Sequence, residues 1–411
     1  MSIFDRCWAV ALVLTGTGCG ARTGLLESQP VLVSTDAGAT SCGSSVPRCI
    51  VPAQACAAPR SLDASCDEAT QQWSCPSGAR LYVRAPEATT PCLPFRHAAG
   101  VTAIGGWGLG SFTRVPTDDG RCLWIAGTVT LSGGEVLNNA ALEPDPNLPF
   151  GACPDKSIIP PTPIVTLEGG DDPSISVQIN GGYRLGGVTR VLYRLFQTDP
   201  SSSVGVTELG SGIGHYDPLT QHVVIPSPNE PFPWGLDLGL GDAALLSTDA
   251  TLAYVWGCAR PGPFLEQGCE LARIDSSDSI DLFTGGGSWI HSTDASRGAT
   301  VFTSGTWISS VVAAAGALHH VYIVDYGSDL RRQTATDATG PWSGASQIAA
   351  CNLPVSNPKA FCAGPVVHEE ISDPTRPGEL AITYCVGNNG GTSAGTTDDY
   401  WPRLVWVASP P

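Results

Sequence analysis

Charged side chains are scarce in this sequence, and lysine is almost absent. Charged residues make up 14% of the 411 residues, against about 25% in ordinary soluble domains. The only lysines are Lys156 and Lys359. The formal net charge is −17, and no cluster of Lys and Arg offsets it. Because such an acidic surface repels phosphate backbones, the composition argues against a nucleic-acid partner.

Long apolar runs and helical periodicity are also lacking. The apolar run over residues 7–14 is too short to span a bilayer, which needs about 20 apolar residues. Long helices are nearly absent from the pattern, and residues 67–73 are the best short helix candidate. The chain instead contains 48 Gly and 34 Pro, which favours many short strands joined by turns. The sequence therefore predicts an all-β fold.

The first 18 residues have the layout of a secretory signal peptide, with Arg6, the apolar run and then small residues before Cys19. Small residues directly before a cysteine resemble the lipobox of bacterial lipoproteins, in which that cysteine carries diacylglycerol. Gly16 stands where the lipobox usually has Leu, so plain secretory cleavage is the alternative. The resemblance implies export, membrane attachment through a lipid on Cys19, and sorting to the outer membrane or cell surface. Residues 19–40 would then form a flexible tether.

The cysteine count is odd once the leader is set aside. Of 15 cysteines, Cys7 would leave with the signal and Cys19 would be lipidated, which leaves 13 in an oxidising compartment where disulfides persist. No Cys-x-x-Cys spacing indicates a metal or redox motif, so disulfides are favoured and no cofactor is expected, with a calcium ion between loops left open. Cys385 is predicted to retain its thiol, since it lies in an apolar strand-like run and a thiol behaves as a small hydrophobe.

Cysteine spacing also predicts local bridges and a separate module. Cys258 with Cys269, and Cys351 with Cys362, are expected to form disulfides across short loops. Residues 41–95 have little apolar periodicity and form a small disulfide-stapled module of undetermined connectivity. Six cysteines crowd this module: Cys42, Cys49, Cys56, Cys66, Cys75 and Cys92.

Strand-like runs recur in five groups over residues 96–411. The groups repeat at roughly 50 to 70 residues, a spacing that suits the blades of a β-propeller. A two-sheet sandwich could use the same strands. The groups open near Gly106, Ser174, Asp242, Ser309 and Gly364.

Several of these groups resemble a known family. Residues 110–128 contain a strand, a turn at Asp119-Gly120 and an aromatic strand that ends in Gly127-Thr128. This pattern resembles the first blade of the furanosidase-type five-bladed propeller glycoside hydrolases, and residues 318–342 and 364–384 resemble the fourth and fifth blades. The resemblance implies a five-bladed propeller with a sugar-facing centre, in which carboxylates on the innermost strands would perform hydrolysis.

The acids that such hydrolysis needs are not all present. The family's first-blade Asp would fall at Gly110 or Ser111, and neither can act as a carboxylate. Asp237, Asp242, Glu369 and Glu370 lie on or beside predicted inner strands, and the first three are weak catalytic candidates. The usual role of such acids is solvation or turn bonding, so hydrolysis of the family type is not expected.

Ligand-binding candidates are Trp107 and Trp234, whose rings could stack on sugars, and His368. His368 adjoins Glu369, and adjacent strand residues point to opposite faces, so at most one of the two faces the centre. The leading hypothesis is a monomeric surface lipoprotein whose propeller binds a polysaccharide without catalysis. The alternatives are a divergent glycoside hydrolase acting on a cell-wall or matrix polysaccharide, and a structural or protein-interaction lipoprotein.

Overall fold

The computed structural model is almost entirely β. Its described residues contain 28 strands and one short 3-10 helix. No helix within them is long and apolar enough to cross a membrane. The described residues are 42, 46–51, 56–57, 60–81, 113–126, 129–130, 136–137, 139–142, 163–168, 172, 174–199, 201, 206–225, 240–258, 268–292, 298–302, 309–323, 327–353, 360–371, 378–388 and 403–408.

The N-terminal module contains five short strands. Strand β1 is the centre of a three-stranded antiparallel sheet with β2 and β5, and β3 pairs with β4. Two disulfides, Cys42–Cys66 and Cys49–Cys75, cross this module. The strands are β1 (Arg48–Val51), β2 (Arg60–Asp63), β3 (Ser65–Asp67), β4 (Gln72–Ser74) and β5 (Arg80–Leu81).

The helix predicted over residues 67–73 is wrong, because this stretch is the turn of the β3–β4 hairpin. The carboxylate of Asp67 accepts hydrogen bonds from the backbone N–H groups of Ala69 and Thr70 at 2.9 and 3.1 Å. An Asp side chain that bonds nearby backbone in this way stabilises a turn in competition with a helix. Gln71 then takes a φ of 55°, and the chain reverses.

The first two blades follow the module. In the first blade, β7 pairs with β6 and β10, while β8 pairs with β9. Its strands are β6 (Thr113–Pro116), β7 (Cys122–Ala126), β8 (Val129–Thr130), β9 (Val136–Leu137) and β10 (Ala140–Leu142). In the second blade, β11 joins the outer edge of an antiparallel sheet by a parallel pairing with β15. Its strands are β11 (Val165–Leu167), β12 (Ile175–Leu185), β13 (Val188–Thr198), β14 (Val206–Asp217) and β15 (His222–Ile225).

The remaining three blades are antiparallel sheets. The third holds β16 (Ala243–Leu246), β17 (Ala253–Cys258), β18 (Cys269–Ile274), β19 (Ile280–Gly285), β20 (Ser288–His291) and β21 (Thr300–Phe302). The fourth holds β22 (Ser310–Ala314), β23 (Ala317–Ile323), β24 (Asp329–Ala335) and β25 (Ser346–Ala350). The fifth holds β26 (Ala360–Val367), a 3-10 helix (Glu369–Ile371), β27 (Glu379–Asn388) and β28 (Arg403–Ala408).

The five sheets are arranged as a propeller. The innermost strands β6, β12, β16, β22 and β26 contact one another in this order. Arg114 of β6 pairs with Glu369 and Glu370, which follow β26, so this contact closes the ring. The predicted five-bladed fold is confirmed, and the sandwich alternative is excluded. The innermost strands of three blades begin one residue after the predicted openings at Ser174, Asp242 and Ser309.

Within the described residues, four apolar cores lie between successive blades. Strand β12 contributes to two of them, because a β-bulge between Ile179 and Gly181 lets its first half pack with the first blade and its second half with the third. Trp256 and Phe302 belong to the core between blades three and four, and Ile323 and Ile382 to the core between blades four and five. These cores hold neighbouring blades together.

Among the described residues, three further disulfides involve the propeller. Cys258 and Cys269 are cross-strand partners in β17 and β18 and form one bridge, and Cys351–Cys362 forms a second. Buried Cys385 retains its thiol. The third bridge, Cys56–Cys122, joins the N-terminal module to β7, and no local spacing predicted it.

Candidate functional site

A cavity of about 190 Å³ lies where the five innermost strands meet. Each of these strands contributes to its lining, for example through Arg114 of β6, Asn180 of β12, Ala244 of β16, Ser310 of β22 and Val366 of β26. The described lining therefore gathers residues from distant parts of the chain around one point. Binding sites are typically such concave surfaces with a few polar groups in a mainly apolar wall.

The charged side chains among the described lining residues are Arg114 and Glu369. Apolar residues such as Leu245, Leu246 and Val311 form much of the rest. A wall that combines one ion pair with apolar groups suits a neutral ligand that has both polar edges and apolar faces.

Arg114 is held by two neighbouring acids. Its NH1 atom lies 3.1 Å from Glu369 Oε2 and 3.3 Å from Glu370 Oε2. Burial lowers the pKa of Arg114, but the negative charges of Glu370 and Glu369 outweigh this effect and the pKa is raised. The 3-10 helix after β26 places these two acids side by side, with 29% of the Glu369 side chain exposed and 8% of the Glu370 side chain. Glu369 is therefore the more accessible acid of the pair.

A buried histidine supports Glu370 from behind. His368 Nδ1 lies 2.7 Å from Glu370 Oε1, and its Nε2 lies 2.8 Å from Thr383 Oγ1. Burial lowers the pKa of His368 and outweighs the opposite effect of Glu370. The neutral ring then donates Nδ1–H to Glu370 and accepts the hydroxyl proton of Thr383. Trp124 Nε1 donates to Glu370 Oε1 at 2.7 Å. The Trp124 ring is tilted against the His368 ring, with 4.1 Å between the ring centroids.

These contacts keep the Glu370 carboxylate ionised. Burial raises its pKa, but the hydrogen bond from His368 and the positive charge of Arg114 outweigh burial and the pKa is lowered. With Trp124 included, three side chains donate to this one carboxylate. Glu370 thus orients Arg114, and Arg114 in turn orients Glu369 at the cavity wall.

Asp242, a candidate from the sequence, is not on the cavity wall. Its side chain is fully buried, and its Oδ1 lies 2.7 Å from NH2 of Arg194. Its Oδ2 accepts the backbone N–H of Cys258 at 2.8 Å, and Asn180 donates to Oδ1 at 3.4 Å. Arg194 also pairs with Glu208 at 3.2 Å. Asp242 therefore joins blades two and three, which is a structural role that the pattern around residue 242 did not predict.

The structure places the other candidates as follows. Glu369 lines the cavity, whereas His368 lies behind it with its ring fully buried. Several candidate positions lie outside the described residues: Cys19, Trp107, Gly110, Ser111, Trp234 and Asp237.

Sequence reasoning missed Arg114 and Trp124 as parts of the site, whereas Glu370 was among the acids expected near the inner strands. A weak signal existed for Arg114, because it is a charged residue inside a short alternating strand whose neighbours Thr113 and Val115 are buried. No local signal pairs Trp124 with a residue of the fifth blade, since the two are 246 positions apart.

His319 and His320 are adjacent in β23, and their side chains have different partners. His319 Nε2 lies 2.9 Å from the carbonyl of Ala314, while His320 is stacked between Phe302 and Tyr322 at 4.2 and 4.8 Å. Burial lowers the pKa of His320 to about 3. In the described part of the chain, no three His, Cys, Asp or Glu side chains are grouped to hold a metal ion.

Comparison with known proteins supports the architecture. No protein-family model and no curated protein matches this chain. A Bacteroides ovatus protein, a hydrolase by assignment, superposes with a TM-score of 0.50 at 14% identity, over 74% of this chain and 86% of that protein. This likeness concerns the fold alone.

Two further similar structures are glycoside hydrolases of family GH43. A GH43_1 enzyme from Xanthomonas citri gives a TM-score of 0.42 at 14% identity, over 75% of this chain and 93% of that one. CoXyl43, a β-xylosidase/α-arabinofuranosidase from a compost metagenome, gives 0.40 at 10% identity, over 77% and 98%. The five-bladed architecture itself rests on the sheets of this chain and on the contacts between its innermost strands, and its activity is a separate question.

Proposed function

We propose that this chain is a carbohydrate-binding propeller that binds its ligand in the central cavity without hydrolysing it. The observation that carries the proposal is the cavity wall, where the prearranged Arg114–Glu369 pair stands among apolar side chains. The resemblance of residues 110–128, 318–342 and 364–384 to sugar-processing blades supports a saccharide as the ligand class.

The chemistry of the wall fits a sugar. A pyranose or furanose ring has hydroxyl groups around its edge and C–H groups on its faces. The guanidinium of Arg114 can donate hydrogen bonds to hydroxyl oxygens, and the carboxylate of Glu369 can accept from hydroxyl protons. Leu245 and Val311 offer apolar contacts. Because Glu370 already holds Arg114 in place, little ordering cost remains on binding.

We propose that the chain does not hydrolyse its ligand because the described cavity wall has too few carboxylates for this reaction. Hydrolysis of a glycosidic bond uses two carboxyl groups about 5 to 10 Å apart, one as acid and one as base or nucleophile. Among the described lining residues, Glu369 is the one carboxylate, and Asp242 is buried in its pair with Arg194. A lone carboxylate held by Arg114 supports binding better than hydrolysis.

We also propose that the protein is exported and anchored by a lipid on Cys19. Five disulfides among the described residues support an oxidising compartment, in agreement with the signal-like residues 1–18. Mass spectrometry of membrane-extracted protein should show a diacylglycerol-sized mass increase that a Cys19→Ser variant lacks. An unmodified, freely secreted wild-type protein would contradict the anchor.

Binding and product analysis on one preparation would test the proposed activity. Wild-type protein without its leader would be titrated with arabinan- and xylan-derived oligosaccharides and incubated with the parent polymers. We expect saturable binding, no released sugar, and weaker binding by Glu369→Gln. Sugar release that Glu369→Gln abolishes would establish the glycoside hydrolase alternative. No binding to any glycan would leave the protein-interaction alternative.

A further inference from the structure

The N-terminal module reaches the central cavity. Cys56 is half-buried and lines the cavity together with Thr113, Arg114 and Pro116 of β6. It belongs to no blade, because it lies between β1 and β2 of the module. The described wall of the cavity is therefore built from six parts of the chain, the five innermost strands and this segment.

A disulfide fixes the segment at this place. Cys56 is bonded to Cys122 of β7 across 66 positions, with a Cα–Cα distance of 4.7 Å. Cys122 is the cross-strand partner of Pro116, which itself lines the cavity. The bridge thus attaches Cys56 one strand away from the innermost strand of the first blade, and it can hold the segment against the rim.

Two disulfides stabilise the module itself, so the Cys56–Cys122 bond positions the module and not Cys56 alone. Cys49 of β1, a few residues before Cys56, is buried and bonded to Cys75, and a second bridge joins Cys42 to Cys66. Cys56 has a φ of 63°, a left-handed conformation that residues with a side chain keep only where their surroundings impose it. The segment is held from both sides, by the module and by the propeller.

We propose that the N-terminal module forms one wall of the ligand site and restricts it to the end of a saccharide chain. The restriction to a chain end rests on the proposed carbohydrate function, whereas the wall does not. A cavity of about 190 Å³ is smaller than the roughly 300 to 1,000 Å³ typical of pockets for drug-sized ligands. It accommodates one terminal sugar unit, and the module at the first-blade side blocks the passage of a continuing chain.

A ligand-free experiment tests the wall. Ala244 lines the cavity from β16 and is half-buried, so Ala244→Cys supplies a reporter thiol. Its rate of alkylation by a bulky maleimide would be measured without reductant, alone and combined with Cys56→Ser/Cys122→Ser. Release of the module should speed alkylation about tenfold, because a lost cross-link permits local opening. An unchanged rate would overturn the proposal.

A matched control separates release of the wall from general loosening. The Cys351→Ser/Cys362→Ser pair also removes one disulfide, but neither residue lines the cavity, so the reporter rate should stay near that of Ala244→Cys alone. Equal acceleration in both double variants would contradict the proposal. If the Cys56→Ser/Cys122→Ser protein fails to fold, non-reducing peptide mapping of the wild-type protein decides instead. A mapped linkage of Cys56 to any cysteine but Cys122 would also overturn it.

A binding experiment tests the restriction to chain ends. Arabino-oligosaccharides of increasing length would be titrated into wild-type protein and into Cys56→Ser/Cys122→Ser. Wild-type affinity per chain should be independent of length, and in the variant it should rise with length as internal units become accessible. Wild-type affinity that grows in proportion to length would overturn the restriction. If no saccharide binds while the reporter responds as expected, the carbohydrate function fails and the wall stands.

Discussion

Two arginine–carboxylate networks of the propeller use the same groups in different surroundings. Between blades two and three, the side chains of Arg194, Asp242 and Glu208 are 1%, 0% and 10% exposed. Between blades five and one, those of Arg114 and Glu369 are 19% and 29% exposed. The first network is closed and holds two blades together. The second leaves one carboxylate at a cavity, so accessibility, rather than residue type, decides which acid can meet a ligand.

The two networks should differ most in how far the free energy of unfolding falls when each network is disrupted. Removing one member of a buried ion pair leaves a charge without water or counter-ion, whereas a partly exposed group can be solvated again. The variants below separate the structural network from the ligand-facing one, in order of decreasing effect on stability.

Arg194→Met should be the most destabilising change. It leaves the carboxylates of Asp242 and Glu208 buried without their cation, and we expect the free energy of unfolding to fall by about 3 to 5 kcal/mol. Urea denaturation at neutral pH would measure the loss. The matched control is Arg184→Met, which removes an exposed arginine that pairs with Asp118 at 3.4 Å and should cost less than about 1 kcal/mol. Equal losses of unfolding free energy in the two variants would show that the buried and exposed ion pairs do not differ in this way.

Acid should destabilise the protein through His320, a buried group that belongs to neither network. Burial holds its pKa at about 3 against an ordinary 6.5, so the folded state favours the neutral ring. This contribution is complete above pH 6.5 and should decline by up to about 1.4 kcal/mol per pH unit as the pH falls from there towards 3.

Unfolding measured from pH 7 to pH 4 would test the role of His320. His320→Phe should flatten the pH dependence, because Phe keeps the stacking on Phe302 and Tyr322 and has no proton to bind. A wild-type slope in His320→Phe would show that other groups bind the protons.

Glu370→Gln should cost about 2 kcal/mol at pH 7, because the neutral amide replaces a carboxylate that accepts from Arg114, His368 and Trp124. The pKa of Glu370 is lowered from 4.5, so its carboxylate stabilises the fold above that pH and loses this effect as the pH falls below it. The difference between wild type and variant in urea unfolding should therefore shrink at pH 3.5. A constant difference would exclude ionisation as its source.

Glu369→Gln should have the smallest effect on stability and a clear effect on binding. Glu370 still holds Arg114, and Glu369 is partly exposed, so the expected loss is below about 0.5 kcal/mol. Saccharide affinity should fall about tenfold, near 1.4 kcal/mol, as measured by calorimetry. Asp172→Asn changes an acid in an exposed turn and should alter neither quantity. A destabilised Glu369→Gln protein with wild-type affinity would assign Glu369 to the structural network.

Local patterns predicted much of the propeller. Strand alternation and turn residues predicted, to within one residue, where the innermost strands of three blades begin, at Ile175, Ala243 and Ser310. The short spacing of Cys258 and Cys269 marked a disulfide in the same way. These features depend on neighbours in the chain, and sequence periodicity reports such neighbours directly. Local reasoning failed at residues 67–73, where the bonds of Asp67 to the backbone favour a turn over a helix.

The sequence by itself determined the all-β class, the five repeating groups and the expectation that Cys385 retains its thiol. Tertiary structure alone decided that Arg194 neutralises Asp242, that His368 supports Glu370 behind the cavity, and that Cys56 reaches Cys122. The physical reason is that closing the ring brings together residues from distant blades. Whether an acid is buried with a cation or faces a cavity depends on those partners, which local composition and spacing do not encode.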